Sequence, residues 1–241
     1  AFMNNIYLIL GASSEIGSAL IRSLNEKERE ALFLSHYRSH PDVLREIEMK
    51  NGNQLRALQA DLSLSEEVEG LIGEVRAVCS SPTHIVHLPA DLYEFQKLKD
   101  IRWESVLHDM ELQLHSIMQI LAAFLPKMTK GERNGKVLFM LSENTVGLPA
   151  KYTVKYTVGK YALLGLMRSL ASDYEGKRIN FNAVSPSVMD TKFLRKIDER
   201  LLEISGVREH MLKPSEVTPA MEYLLSPASD RVNGQNLPLR G

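Results

Sequence analysis

The stretch from Ile6 to Gly17, IYLILGASSEIG, decides the fold of this 241-residue chain. Its first five residues are apolar and have the length of a buried parallel strand. They lead directly into a turn with a glycine at each end, Gly11 and Gly17, and then into an apolar helical pattern. This arrangement favours a bound pyrophosphate, because a glycine turn and a helix N-terminus present backbone N–H groups to an anion. We therefore expect a dinucleotide site here, with Gly11 permitting the turn and Gly17 permitting close packing.

Further strand patterns alternate with helical patterns along the rest of the chain. The predicted strands are Ala31–Ser35, Leu55–Ala60, Ile85–Leu88, Val137–Leu141, Arg178–Val184 and Gly234–Leu239. The predicted helices cover about Ser65–Val78, about Arg102–Met128, the region around Tyr156, and Val217–Leu225. A chain of this length with 44% hydrophobic residues can bury one sizeable core, so we expect a single α/β domain. The domain is expected over residues 3–241, because Ala1 and Phe2 precede Met3, a candidate natural start.

The chemistry is predicted to lie in the segment Lys136–Ala171. An apolar strand pattern delivers Ser142 to a loop, and a helical pattern then places Tyr156 and Lys160 four residues apart on one helix face. A free phenol has a pKa of about 10 and is a poor acid or base near neutral pH. Since a neighbouring ammonium favours the phenolate, we predict that Lys160 lowers the pKa of Tyr156. A second Tyr-x-x-x-Lys pair begins at Tyr93, and nothing around it indicates a chemical role.

The end of the second predicted strand indicates which dinucleotide is bound. This strand is followed by the segment HYRS, His36 to Ser39. An acidic residue near this point would hold the ribose 2′-hydroxyl of NAD, whereas an arginine suits the 2′-phosphate of NADP. The segment contains Arg38 and no acid, so we predict a preference for NADP(H), with Tyr37 and Arg38 at the adenosine end. The alternative is that Arg38 is an ordinary solvated turn residue.

Composition and charge argue against several classes of function. The formal net charge is −1, without the basic excess that binding to nucleic acid or an anionic membrane requires. Cys79 is the one cysteine, so there is no disulfide framework. No apolar run approaches the ~20 residues that cross a bilayer, and no secretory signal is visible. We expect a cytoplasmic protein with a small-molecule substrate. The pairs His36/His40 and His84/His87 lack further ligands, so no metal site is predicted.

Together, these motifs resemble those of a known family. They are GASSEIG at the first turn, Asp61-Leu62 after the third strand, Ser142 with Tyr156 and Lys160, NAVSPS from Asn182 to Ser187, and Thr191. Over essentially its whole length, the chain resembles the short-chain dehydrogenase/reductase family. Its HYRS segment and its overall length are most similar to the 3-oxoacyl-(acyl carrier protein) reductase group of that family.

The resemblance implies a doubly wound Rossmann fold, with a mostly parallel sheet flanked by helices on both faces. It also implies hydride transfer between nicotinamide C4 and a carbonyl or alcohol carbon. Tyr156 would act as the acid or base, Ser142 would hydrogen bond to the substrate oxygen, and Lys160 would hold the nicotinamide ribose. Gln113 matches the asparagine of the family's proton relay. The cofactor-binding residues implied by the resemblance are Gly11, Ser13, Ser14, Ile16, Gly17, Tyr37, Arg38, Asp61, Leu62, Pro89, Ala90, Pro186, Ser187, Val188 and Thr191.

Four positions depart from the family's pattern. Glu15 stands where a third glycine is usual, and it adds bulk and charge beside the pyrophosphate site. The segment from His87 to Ala90 replaces Asn-Asn-Ala-Gly and lacks its amide side chains, and Gln113 replaces an asparagine. Ser142 lies one residue further from the catalytic tyrosine than is common, and another alignment places Glu143 there. We favour Ser142, because a hydroxyl can donate to the substrate oxygen and an ionised carboxylate cannot.

The leading hypothesis is an NADP(H)-dependent oxidoreductase, for which a 3-oxoacyl thioester is a candidate substrate. Two alternatives stay open: a non-catalytic dinucleotide-binding regulatory protein of the same fold, and a dehydrogenase of another small alcohol such as a sugar or a steroid. The mixed-charge segment 189–213 predicts either a lid over the substrate or a solvated helix. Its basic residues would suit an acidic carrier protein; they are Lys192, Arg195, Lys196 and Arg200. The long predicted helix suits contact with a partner subunit, and the resemblance implies a homodimer or homotetramer.

Overall fold

The buried apolar stretches form a sheet of seven parallel strands in the computed structural model, which describes residues 4–91, 93–191 and 211–241. The strands are β1 (Ile6–Leu10), β2 (Leu32–Tyr37), β3 (Gln54–Gln59), β4 (His84–His87), β5 (Gly135–Met140), β6 (Ile179–Pro186) and β7 (Asn236–Leu239). Their order across the sheet is β3-β2-β1-β4-β5-β6-β7, and each neighbouring pair is parallel. The direction of winding reverses between β1 and β4, where ligands of such sheets bind at the carboxyl ends of the strands.

Helices cover both faces of this sheet. They are α1 (Glu15–Lys27), α2 (Asp42–Arg45), α3 (Ser65–Val78), α4 (Trp103–Met110), α5 (Ser116–Met128), α6 (Val154–Asp173) and α7 (Pro214–Leu225). One hydrophobic core joins Leu8 and Leu10 of β1 to the apolar sides of α3, α5 and α6. A second core joins Tyr7 and Ile9 of the same strand to α1 and α7. Because alternate residues of β1 enter different cores, the cores lie on opposite faces. The expected doubly wound α/β fold is confirmed.

The predicted elements lie close to the observed ones. The helix predicted at Ser65–Val78 has those bounds in the structure. Strands β2 and β6 each continue two residues beyond their predicted ends, because His36 and Ser185 remain buried and pair with Leu58 and Pro238 of the neighbouring strands. These extensions carry the two strands to the edge where the candidate site lies.

The long helix predicted from Arg102 to Met128 is interrupted by a π-helical turn. Between α4 and α5, residues Glu111–His115 form a π-helical turn. A π turn contains more residues than an α turn and is frequent at functional sites. Leu112 and Gln113 of this turn are buried, whereas Glu111 is exposed. The turn therefore sets which side chains of the helix face the protein interior.

The last described helix packs against the first. Val217 of α7 is fully buried in the core that it shares with the apolar face of α1. Lys27 at the end of α1 forms an ion pair with Glu222 of α7. The end of α7 also contacts the sheet, because the Leu225 carbonyl accepts a hydrogen bond from Nε2 of His84 at 3.0 Å. Helix α7 thus completes the face of the sheet on which α1 lies.

Beyond β6, Met189 and Leu212 form a short parallel bridge. The N–H of Asp190 donates to the Leu212 carbonyl at 2.9 Å. Residues 192–210 lie outside the described residues, and with them lies most of the segment 189–213 that was predicted as a lid or a solvated helix, including Lys192, Arg195, Lys196 and Arg200. Among the helices that the structure describes, none is both long enough and apolar enough to cross a membrane.

Candidate active site

A cavity of about 530 Å³ opens at the carboxyl ends of the central strands. It lies at the point between β1 and β4 where the winding reverses, which is the dinucleotide site of this fold class. The predicted cofactor-binding residues in its wall are Gly11, Ser13, Ser14, Ile16, Arg38, Leu62, Pro89, Ala90, Pro186, Ser187, Val188 and Thr191. Ser142, Tyr156 and Lys160 line the same cavity. The structure therefore brings the predicted cofactor-binding and catalytic residues together.

The glycine turn depends on an unusual backbone conformation and on close packing. Gly11 adopts a φ of +76°, in the left-handed region that residues with a side chain rarely adopt. Gly17 packs so tightly that a Cβ atom there would lie 2.7 Å from the carbonyl oxygens of Gly11 and Ala12. The Ser14 hydroxyl caps α1, because it accepts from the N–H of Gly17 at 3.1 Å and donates to the Gly11 carbonyl at 2.7 Å. The N-terminus of α1 consequently faces the cavity, an arrangement that binds pyrophosphate.

His36 supports the glycine turn. From the sequence, this residue was considered only as part of a histidine pair, for which no metal site was predicted. The buried ring lies at the end of β2, and its Nδ1 accepts a hydrogen bond from the N–H of Gly11 at 3.0 Å. Its Nε2 lies 3.0 Å from the carbonyl oxygen of Ala60. Since a carbonyl only accepts, the ring is neutral and carries its proton on Nε2. Burial lowers the pKa of His36 and so favours this form at neutral pH.

Arg38 lies at the adenosine end of the cavity, and its side chain is 60% exposed. Its Nε is 3.3 Å from Oδ2 of Asp61. Burial acts to raise the pKa of Asp61, but the hydrogen bonds from Ser63 and the charge of Arg38 outweigh burial and hold that pKa below its ordinary value. Asp61 stands beside the cavity rather than in its wall. Its carboxylate therefore orients the guanidinium group at the cavity edge.

Ser142, Tyr156 and Lys160 meet where α6 crosses the end of β5. Ser142 is 8% exposed, and its hydroxyl accepts a hydrogen bond from the N–H of Asn144 at 3.3 Å. The Lys160 Nζ donates to the Met140 carbonyl at 3.1 Å and lies 5.6 Å from the centre of the Tyr156 ring. The phenol of Tyr156 interacts with the Ser142 hydroxyl. This contact agrees with the assignment of Ser142 as the partner of the phenol.

Burial dominates the ionisation of the phenol and the ammonium. It raises the pKa of Tyr156 well above its ordinary value; the Ser142 hydrogen bond opposes this rise, and the charges of Asp109 and Glu143 add to it. The lowering that we expected from Lys160 does not outweigh burial. Burial also lowers the pKa of Lys160 to about 8, against the opposing effect of Asp109. Tyr156 is therefore a protonated phenol at neutral pH, which is the form that donates a proton.

The segment after β4 covers the substrate end of the cavity. Gln96 forms a bridge with Thr153, and its N–H donates to the Tyr152 carbonyl at 2.7 Å. This pairing places Tyr93 in the cavity wall beside Tyr156. Sequence reasoning missed Tyr93 because its surroundings have neither helical nor strand periodicity. Its Tyr-x-x-x-Lys spacing was a coincidence of pattern and gave no useful signal.

Four of the predicted site residues lie outside the cavity wall. Gly17 acts through the close packing described above, and Asp61 contacts Arg38. The hydroxyl of Tyr37 donates toward Gln59 at 3.5 Å, away from the cavity. Gln113 is buried at 1% exposure, where its amide contacts α4. Their assignment as cofactor-binding or catalytic residues remains a prediction.

The departure from the family pattern at His87 places an imidazole in the protein interior. His87 is fully buried, and neither ring nitrogen has a hydrogen-bond partner among the described residues. Burial lowers its pKa to about 3, so the ring is neutral across the physiological range. Pro89 and Ala90, which follow it, line the cavity. Within the described ranges, no three His, Cys, Asp or Glu side chains converge on a point that could hold a metal.

The residues in the cavity wall would suit a nicotinamide dinucleotide. The N-terminus of α1 would hold the pyrophosphate, Arg38 the adenosine end and Lys160 the nicotinamide ribose. At the nicotinamide end, the buried Ser187 hydroxyl lines the cavity and has no hydrogen-bond partner among the described residues. A polar ligand at this end would give that hydroxyl a partner.

Comparisons with known proteins agree with this geometry. A family model described as enoyl-(acyl carrier protein) reductase matches residues 11–241. The chain is 27% identical to an NAD-dependent glycerol dehydrogenase from Listeria innocua, over 99% of this chain and 93% of that protein. It is 26% identical to a 3-oxoacyl-[acyl-carrier-protein] reductase from Aggregatibacter actinomycetemcomitans, over 99% of both. The crystal structure of a 3-oxoacyl (acyl-carrier-protein) reductase from Agrobacterium tumefaciens with NADP bound has a TM-score of 0.82 at 24% identity, covering 98% of this chain and 93% of that one.

The family model covers nearly the whole chain, from the glycine turn to the last residue. The predicted hydroxyl, phenol and ammonium lie together in one cavity with that turn. These findings favour an enzyme over the non-catalytic binding protein that the sequence left open. The chain therefore belongs to the short-chain dehydrogenase/reductase family and is an NAD(P)-dependent oxidoreductase acting on CH–OH and C=O groups.

Proposed function

We propose that this chain is an NADP(H)-dependent carbonyl reductase in which Tyr156 donates its proton to the substrate oxygen. The observation that carries the proposal is the convergence of Ser142, Tyr156 and Lys160 in the cavity that begins at the glycine turn. Carbonyl reduction by hydride needs a hydrogen-bond donor, a proton donor and a nearby positive charge where the oxygen becomes negative. The three side chains supply these groups.

A nicotinamide bound in the cavity would supply the hydride, and the protein supplies orientation and the proton. Ser142 donates a hydrogen bond to the carbonyl oxygen and fixes it beside the phenol. Tyr156, protonated because burial raises its pKa, transfers its proton to this oxygen as negative charge develops there. The Lys160 ammonium, held by the Met140 carbonyl, stabilises the phenolate that remains. In the oxidation direction, the same groups act in reverse.

The preference for NADP(H) over NAD(H) is supported by Arg38 in the cavity wall and by the lack of an acidic side chain at the end of β2. A guanidinium group binds a phosphate with charge-assisted hydrogen bonds. The NADP-bound relative agrees with this proposal, whereas the glycerol dehydrogenase is NAD-dependent. A substitution of Arg38 therefore tests whether the protein prefers NADP(H) or NAD(H).

The test of the proposed function is NADPH oxidation by the wild-type protein and by Tyr156→Phe, with a panel of ketones that includes an acetoacetyl thioester. We expect the substitution to lower kcat by about 10²–10⁴-fold, since it removes the proton donor, and to leave NADPH binding unchanged by fluorescence. Tyr161→Phe is the matched control, because Tyr161 is 46% exposed on the same helix. Full turnover by Tyr156→Phe would contradict the mechanism, and NADPH binding without turnover of any ketone would favour the regulatory alternative.

Our first candidate substrate is a 3-oxoacyl thioester, linked to a carrier protein, as in the names of two of the relatives. A specific observation favours a second class, the small polyols and sugars. The exposed carboxylate of Glu143 lines the cavity with Asn144 and Tyr93, and such groups hydrogen bond to substrate hydroxyls. The glycerol dehydrogenase relative agrees with this class. Glu143→Ala should lower kcat/KM for dihydroxyacetone about tenfold and leave that for the thioester unchanged if polyols are the substrates.

The proposed homodimer or homotetramer is supported by apolar side chains on the long helix. Trp103 is 66% exposed, and Leu107 and Met118 are each 47% exposed. Large apolar side chains exposed along one element can mark a site of contact with another protein. Light scattering of the wild-type protein and of Leu107→Glu would show whether this face joins two copies. The cytoplasmic location stays a prediction.

A further inference from the structure

A buried carboxylate that packs against Gly159, the residue before Lys160, has no part in the mechanism described above. Asp109, near the end of α4, is 2% exposed. Its Oδ1 accepts a hydrogen bond from Nε2 of Gln113 at 2.5 Å, and no further hydrogen bond to its side chain is found among the described residues. A buried carboxylate either faces a compensating positive charge or takes up a proton. Its surroundings show which cation it faces.

Asp109 lies directly against the backbone of α6. A Cβ atom on Gly159 would lie 2.6 Å from Oδ2 of Asp109 and 3.4 Å from Nε2 of Gln113. Gly159 immediately precedes Lys160, so the carboxylate contacts the helix at the residue next to the cation. The π turn Glu111–His115 follows Asp109 closely and contains Gln113, and it therefore sets how both side chains meet α6.

Two lysines act on Asp109, and they differ in their other partners. Lys155 already forms ion pairs with Asp91 at 3.2 Å and Glu94 at 3.1 Å. Lys160 forms no ion pair with a carboxylate within 4.0 Å among the described residues. Burial raises the pKa of Asp109, and the charge of Asp91 adds to the rise, whereas Gln113 and both lysines oppose it. Lys160 is therefore the lysine acting on Asp109 that has no other carboxylate within ion-pair distance among the described residues.

The other groups around Lys160 do not compensate its charge. The Met140 carbonyl accepts its hydrogen bond at 3.1 Å but carries no net charge. Tyr156 is a protonated phenol, and His87 is a neutral imidazole. Burial lowers the pKa of Lys160, and the charge of Asp109 opposes this lowering. Asp109 is the one acidic group that acts in this direction among the described residues.

We propose that Asp109 is a positioning residue that keeps Lys160 protonated during the reaction, through a fixed negative charge at the Gly159 contact. The inference rests on the proposed function, in which the ammonium stabilises the Tyr156 phenolate. Lys160 is 1% exposed, so solvent cannot stabilise its charge. Without the carboxylate, Lys160 loses its proton at a lower pH, and the phenolate forms less readily.

The direct test measures the titration of Lys160 itself, without substrate or cofactor. Protein labelled with carbon-13 in its lysine side chains gives a Cε resonance that follows pH, and Lys160→Arg assigns the signal. We expect the midpoint to be near pH 8 in the wild type and about one unit lower in Asp109→Asn. Asp109→Glu should restore much of the shift, because it keeps the charge. An unchanged midpoint in folded Asp109→Asn would overturn the proposal.

Gly159→Ala provides a second variant that changes no charged group. Its added methyl must displace the Asp109 carboxylate, so we expect the Lys160 midpoint to fall in the same direction by a smaller amount. Gly165→Ala is the matched control, because Gly165 lies on the same helix, is exposed, and has no atom within 4 Å of an added Cβ. Equal Lys160 titration midpoints in Gly159→Ala and Gly165→Ala would show that the contact between Asp109 and Gly159 does not affect Lys160.

Activity measurements separate this proposal from the proposed function. In Asp109→Asn, the alkaline fall of kcat/KM should move to lower pH by the same amount as the Lys160 midpoint, and Asp109→Glu should move it back. Turnover that does not depend on Tyr156 would defeat the proposed function, yet the Lys160 titration would still decide the role of Asp109. Normal turnover with an unmoved alkaline limb would defeat the role of Asp109 alone.

Discussion

The ring of Tyr93 lies edge-on against the ring of Tyr156, with centroids 4.6 Å apart and 75° between the ring planes. This geometry places the positive edge of one ring against the negative face of the other, an arrangement worth about 0.5–1.5 kcal/mol. Hydrogen bonding of the Tyr93 hydroxyl to Asn144 and Thr153 opposes the effect of burial on its pKa. The segment before α4 thus holds the proton donor in position.

Tyr93→Leu tests this contact. Loss of about 1.5 kcal/mol of ring contact lets Tyr156 leave its position, so we expect kcat to fall about tenfold. NADPH binding should be unchanged, because Tyr93 stands at the substrate end. Tyr93→Phe keeps the ring and should stay within about twofold of the wild type. If the two variants lost activity equally, the hydroxyl rather than the ring would be the important group.

Arg38→Asp should reverse the preference for the cofactor. The substitution removes charge-assisted hydrogen bonds worth about 1.5–3 kcal/mol, so NADPH should bind about 10–100-fold more weakly. NADH binding should be little affected or improved. Fluorescence titration measures both. Arg45→Asp is the control, since Arg45 is also an exposed arginine but lies outside the cavity wall. An unchanged NADPH/NADH ratio in Arg38→Asp would show that Arg38 is only a solvated turn residue.

Acid should weaken cofactor binding through His36. Protonation of Nδ1 would place a donor against the N–H of Gly11 and open the glycine turn. Because burial lowers the folded-state pKa of His36, the support persists below the ordinary pKa of about 6.5 and is lost only at lower pH. Calorimetric titration with NADP⁺ between about pH 5 and 8 compares the wild type with His36→Gln, and the cofactor's own ionisation is common to both. Identical pH dependence in the two proteins would exclude His36 from this role.

The stability of the fold should also fall in acid, through His84. This ring donates to the Leu225 carbonyl, and burial lowers its pKa to about 4 from an ordinary value of 6.5. The unfolded chain therefore binds more protons between these values, so stability is full above pH 6.5 and is lost as the pH falls toward 4. We expect a loss of roughly 2–3 kcal/mol between pH 7 and 4.5 from this residue. Urea unfolding should show a smaller loss in His84→Asn; an equal loss would assign the effect to other groups.

The sequence was sufficient for the parts of this protein that depend on local pattern. Strand β1, the glycine turn and α3 follow from apolar runs and glycine spacing. The two residues of α6 that face β5 follow from a four-residue spacing, and Ser142 from its place at a strand end. Each of these features is determined within a few residues of chain.

The remaining parts depend on contacts between distant residues. His36 takes its role from backbone groups at Gly11 and Ala60, each more than twenty residues away. The π turn at Glu111–His115 consists of a change in hydrogen-bond partners, and the apolar repeat of the helix continues through it. The pKa of Tyr156 was predicted from one neighbour, whereas burial by the whole site determines it. The periodicity of the sequence does not predict any of these effects, because each depends on residues that are distant along the chain or on the burial of the whole site.

The packing of α7 on α1 has a consequence for the order in which the protein matures during synthesis. The glycine turn and α1 leave the ribosome before α7, which follows them nearly two hundred residues later, so the part of the apolar face of α1 that α7 covers stays exposed until then. A nascent chain can therefore form the elements of its nucleotide cleft long before α7 is available to complete the core that α1 and α7 share. Premature termination before Pro214 would leave that face exposed, and quality-control chaperones and proteases recognise such surface.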